Sequence, residues 1–129
     1  MQINKMLKAN RPQSEVQQLT SSVRIRETSN GVECDIEITG TDRVPVSVEL
    51  IFREGGEFKN VVPVTSEKDT YLLKTDEVGS YTLQNDTLNF GPGLAQHKAI
   101  QLRGALPRMS APTVYLTGFT PFKHTLRLS

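Results

Sequence analysis

Two runs of strict alternation flank Asn30-Gly31, and they constrain the fold more than any other feature of the chain. Val23 and Ile25 alternate with Arg24 and Arg26, while Val32, Cys34, Ile36 and Ile38 alternate with Glu33, Asp35 and Glu37. A period of two is the signature of a half-buried strand. Asn-Gly between two such runs is the strongest short hairpin signal, because both positions tolerate positive φ. With Asn30-Gly31 as a two-residue turn, Ile25 faces Ile36 and Val23 faces Ile38. The same register sets Arg26 against Asp35 and Arg24 against Glu37, so the apolar and charged faces agree.

The alternation continues down the chain. Val44, Val46, Val48, Leu50 and Phe52 share one face, and Pro45 of opposite parity marks a strand start or an edge. Shorter runs follow at 57–66 (interrupted by Pro63), 70–75, 80–85, 86–90, 98–104, 112–119 and 123–129, each bounded by Gly, Pro, Asn or Asp. This spacing predicts an all-β, antiparallel sandwich, jelly-roll-like, of about nine or ten strands. Ile3, Met6 and Leu7 have helical spacing, Pro12 ends that stretch, and Ser14-Glu15-Val16-Gln17 reads as a capping box. The expected organisation is a linker or short helix over 1–18 and a sandwich over 19–129.

Composition narrows the function. A chain of 129 residues fits one domain that can bury its own core. A formal charge of +1 lacks the basic excess that nucleic acid or an anionic membrane would select. The single Cys34 excludes an intrachain disulfide and a CxxC metal site. The start of the chain lacks the apolar core of a signal peptide, so a chain complete as written is expected in the cytoplasm. There is no GxSxG elbow, P-loop or GxGxxG.

The candidate residues are few. Gly91-Pro92-Gly93 turns the chain after Leu88 and Phe90, which point inward. Beyond the turn, His97, Gln101 and Arg103 share one strand face. The ordinary reading of such a row is a solvated surface, and the functional reading is a row of ligand-contacting donors. Tyr115 lies between Val114 and Leu116, so its outward parity makes it the best candidate for a stacking surface. His124 shares parity with Phe122, Leu126 and Leu128, which favours a hydrogen-bonded core or rim histidine over a ligand. Two histidines without a third ligand make no metal site. Cys34 sits on the apolar face of its strand as packing, and Arg53 to Glu57 reads as a charged turn.

Three segments, VPVSVELIFREGGE, DTLNFGPGLAQHKAIQLRG and VYLTGFTPFKHTLRL, resemble the C-terminal β-sandwich region of heparinase II/III-like polysaccharide lyases, over about Val23 to Ser129. In that family the eliminating residues belong to a helical toroid upstream, and no residue here matches it. The resemblance therefore implies a non-catalytic accessory or interaction domain of a polysaccharide-degrading protein, with no cofactor. Its partners would be an upstream catalytic domain or an acidic polysaccharide, and its compartment periplasmic or extracellular. Two alternatives remain open. One is a stand-alone module binding glycan or protein through His97, Gln101, Arg103 and Tyr115. The other is a small β-barrel or jelly-roll enzyme centred on His97 or His124.

Overall fold

The computed structural model describes residues 7–13, 19–64, 68–97 and 111–129. These residues form eleven strands and no helix: β1 (Leu7–Gln13), β2 (Leu19–Glu27), β3 (Val32–Gly40), β4 (Pro45–Phe52), β5 (Glu57–Lys59), β6 (Val62–Pro63), β7 (Thr70–Leu72), β8 (Gly79–Leu83), β9 (Asp86–Gly91), β10 (Thr113–Phe119) and β11 (Phe122–Leu128). They make a sandwich of two sheets, one ordered β1-β4-β10-β7-β6 and the other β2-β3-β11-β9-β8-β5. Strand neighbours are antiparallel except β7 and β10, which run parallel, with Val114 opposite Tyr71. The all-β sandwich expected from the alternation is therefore the fold.

The inward rows of the two sheets meet in one core. Val46, Val48, Leu50, Phe52, Val114 and Leu116 come from one sheet. Ile36, Ile38, Leu88, Phe90, Leu126 and Leu128 come from the other. At one end the core is aromatic: the Phe52 ring lies 4.9 Å from Tyr81, 5.1 Å from Phe58 and 5.2 Å from Phe90. Pro45 begins β4 and is exposed, so it removes no hydrogen bond from the middle of that ladder.

Two expectations change. Residues 7–13 form strand β1, which pairs antiparallel with β4, from Leu7 opposite Phe52 to Gln13 opposite Ser47. Neither a linker nor a helix fits this stretch. The free edge of β4 needs backbone partners, and that demand outweighs the helical spacing of three apolar residues. Pro12 is tolerated because β1 is itself an edge. Ile3, Met6 and the Ser14–Gln17 capping box lie outside the described residues.

The β2–β3 hairpin forms, but its register differs by two residues. Ile25 faces Cys34 and Val23 faces Ile36; Arg26 faces Glu33 and Arg24 faces Asp35. The Thr28 N–H donates to the Gly31 carbonyl at 2.9 Å, which puts Ser29-Asn30 at the tip. Neither Asn30 nor Gly31 has positive φ. Gly31 answers a different demand: a β-carbon there would stand 1.9 Å from the Leu128 carbonyl oxygen of the adjoining β11. Close approach of a third strand, which local sequence does not encode, moves the turn. A slip of two keeps parity, so both faces survive it. On the charged face Arg26 Nη2 reaches Glu33 at 3.0 Å and Asp35 at 3.1 Å, and Arg127 Nε reaches Glu33 at 2.9 Å.

Candidate functional site

His97 follows the Gly91-Pro92-Gly93 corner and is held along the β4–β10 ladder. Its backbone N–H donates to Thr117 Oγ1 at 3.2 Å, and the Thr117 hydroxyl donates to the His97 carbonyl at 2.6 Å. Imidazole Nε2 lies 3.1 Å from the Val46 carbonyl and 3.0 Å from the Gly118 carbonyl. Two acceptors at one nitrogen place the proton there, so Nε2 is a donor. The ring stands edge-on to Phe119, at 5.0 Å. His97 thus closes the end of a ladder in which Val46 faces Gly118.

Tyr115 does have outward parity, yet it is buried and offers no stacking surface. The outer row is buried along the middle of β4 and β10, where Ser47, Glu49, Thr113 and Thr117 are buried with it, and exposed at Pro45 and Phe119. Tyr115 donates its hydroxyl to Glu49 Oε1 at 2.8 Å, a phenol–carboxylate bond inside the protein. Parity alone therefore does not decide exposure on this face. Gln101 and Arg103, the remaining members of the expected row, lie outside the described residues.

His124 is half-buried on the inner parity of β11, and its Nε2 is 2.6 Å from the Pro92 carbonyl. It ties the Gly91-Pro92-Gly93 corner to β11, an interior strand of the six-stranded sheet. The two imidazoles bond to separate backbone carbonyls. Among the described residues no three His, Cys, Asp or Glu side chains converge. Cys34 is buried, and burial, with the Asp35 charge adding, pushes its thiol above the ordinary value. A thiol held neutral is a poor nucleophile.

A separate concavity lies elsewhere. A cleft of about 730 Å³ opens at the aromatic end of the sandwich. The β4–β5 turn, Glu54 to Glu57, forms one wall, and Lys68 with Asp69 stands on the rim. Phe58 and Tyr71 line it as half-buried rings, with centroids 4.7 Å apart. Sequence reading took Arg53 to Glu57 as a charged turn only. The missing signal was spatial, since β5 and β7 lie in different sheets and come together only when those sheets stack.

Both walls are fixed by part-buried hydrogen bonds. Tyr81, fully buried on β8, accepts from the Gly56 N–H at 2.9 Å and donates to the Arg53 carbonyl. Opposite, the Thr113 N–H donates to the Asp69 carbonyl at 2.9 Å, and Thr70 Oγ1 donates to the Lys68 carbonyl at 3.0 Å. The cleft is therefore preformed. Among the described residues its ionisable lining is Glu54, Glu57, Lys68, Asp69 and Tyr71.

Burial is the main cause that pushes the Tyr81 phenol above its ordinary value. The folded state thus favours the neutral form, and its contribution is complete below the ordinary phenol value of about 10. It declines as pH rises through the raised folded value. Wild type is expected to lose unfolding free energy above about pH 10 more steeply than Tyr81→Phe, in urea titrations run in parallel across that range. Near pH 7 the same variant is expected to be less stable by about 1–3 kcal/mol, because the Gly56 N–H and Arg53 carbonyl lose their shared partner. Equal alkaline slopes in both proteins would remove Tyr81 as the cause.

Comparison of the chain with protein-family models, curated proteins and solved structures gave no match.

Proposed function

We propose that this chain is a non-catalytic β-sandwich interaction module that binds a neutral saccharide in the cleft lined by Phe58 and Tyr71. The observation that carries the reading is the pair of half-buried aromatic rings lining a preformed cleft. Sugar C–H faces pack on aromatic rings, and rim carboxylates accept hydrogen bonds from sugar hydroxyls. Among the described residues the rim carries Glu54, Glu57 and Asp69 against Lys68. That charge repels uronates and sulfates, so a neutral glycan fits this cleft better than an acidic polysaccharide. The resemblance of three segments to a lyase-associated sandwich supports the wider reading, an accessory domain that presents polysaccharide to a catalytic partner.

The test is an amide chemical-shift titration with cellohexaose and, separately, with a hexauronate of similar length. Cellohexaose is expected to move the amides of Gly56, Phe58 and Tyr71, and Tyr71→Ala to weaken its binding by roughly 3–10-fold. Stronger binding of the hexauronate, or silence at the cleft with both probes at millimolar concentration, would overturn the reading.

A further inference from the structure

The six-stranded sheet ends at β2, whose described pairing is with β3 alone. The pairing is unbroken from Leu19 opposite Gly40 to Glu27 opposite Val32, with no bulge. The strand contains neither proline nor glycine. Among the described residues nothing pairs with its other side, which presents a long, regular row of backbone donors and acceptors, the template that natural edges usually disrupt.

Both faces of this edge are patterned. Val23 and Ile25 extend the inward row that includes Ile36 and Cys34. Ile36 is 1% exposed, whereas Val23 is 41% and Ile25 65% exposed. The core row thus runs past the cover of the opposite sheet. On the other face Arg26 is engaged by Glu33 and Asp35, but Arg24 meets no carboxylate among the described residues. A strand laid against β2 would continue both rows: aliphatic side chains beside Val23 and Ile25, negative ones beside Arg24.

A second copy of the chain fits this demand poorly. Antiparallel pairing of β2 with β2 of another copy, centred on Arg24, brings Val23 against Ile25 but also Arg24 against Arg24. Centred on Val23 it separates the arginines, but then Ile25 meets Ser21. No centre satisfies both rows, and like charges directly opposite oppose pairing. Arginine on the edge thus disfavours self-association while leaving a strand of opposite charge welcome.

We propose that the β2 edge is a docking site for an extended segment of another polypeptide that alternates aliphatic and acidic side chains and adds a seventh strand to this sheet. Main-chain hydrogen bonds supply affinity, and the two rows supply selection. β3 already has this sequence pattern on the other side of β2, with Glu33, Asp35 and Glu37 alternating with Cys34, Ile36 and Ile38. The β5 end of the sheet lies five strand spacings from β2, about 24 Å, so the proposal is independent of the saccharide cleft.

The experiment compares two soluble peptides on the whole chain, acetyl-EVEIEVE-amide and acetyl-KVKIKVK-amide, which share one apolar row and differ in charge. Amide hydrogen exchange along β2 is the readout. The acidic peptide is expected to bind at least ~10-fold more tightly than the basic one, to protect β2 amides, and to weaken with added salt. Arg24→Glu, at an exposed position, is expected to reverse the preference. Equal binding of both peptides, failure of the acidic peptide to protect β2, or protection centred on another strand would overturn the proposal. So would β2 protection that rises with protein concentration in the absence of peptide, since the occupant would then be a second copy.

Discussion

Phe52→Ala is expected to destabilise the fold by about 3–5 kcal/mol, read as a reduced midpoint in urea unfolding and a Tm lower by roughly 10–20 °C. Phe52 is fully buried at the end of β4. Its ring touches Tyr81 and Phe90, which belong to the opposite sheet, and Phe58 beside the cleft. The backbones that carry these rings are tied into two separate ladders, so neither sheet can sink far into the void. The residual cavity keeps the cost near the upper part of the range for large-to-small changes. The cleft lining should loosen with it, because Phe58 leans on the missing ring. A loss of less than about 1 kcal/mol would mean that the two sheets are free to collapse together there.

Gly93→Ala is the second large effect, about 2–3 kcal/mol by the same measurement. A β-carbon at this position would stand 2.3 Å from the Lys74 carbonyl oxygen and 2.4 Å from Leu73 Cγ. The carbonyl belongs to the main chain and cannot rotate aside. To admit the methyl group, the corner must move away from residues 73–77. That movement strains the bond from the Gly93 N–H to the Glu77 carbonyl (2.8 Å) and the bond from the Asp76 N–H to the Gly93 carbonyl (3.1 Å). Gly91-Pro92-Gly93 is thus a packed corner. Stability within about 0.5 kcal/mol of wild type would show that the corner yields easily.

Parity was legible in the sequence wherever a strand has one apolar row. The inward sets of β3, β4, β9 and β11 follow from alternation alone. What parity cannot say is how much a second layer covers. Val23 and Ile25 have inward parity and remain exposed, because β2 overhangs the opposite sheet. Tyr115 and Glu49 have outward parity and are buried. Register was lost at Gly31 for a related reason, since the pressure on that glycine comes from β11, far along the chain. The cleft was illegible because Phe58 and Tyr71 lie in short strands of different sheets, too brief to show a period. His124 was read correctly because three flanking residues of β11 fix its face.

The position of β10 and β11 has a consequence for synthesis. In the six-stranded sheet the local hairpins β2–β3 and β8–β9 touch only through β11, and in the other sheet β10 separates β4 from β7. A nascent chain that has not reached Thr113 can form its hairpins within microseconds but lacks the middle of both layers. Closure then waits for links such as Glu33 with Arg127, spanning 94 residues, and proceeds on the slower timescale of distant contacts. Until then each layer has a slot one strand wide on the emerging polypeptide, where a wrong strand from a neighbour could lodge.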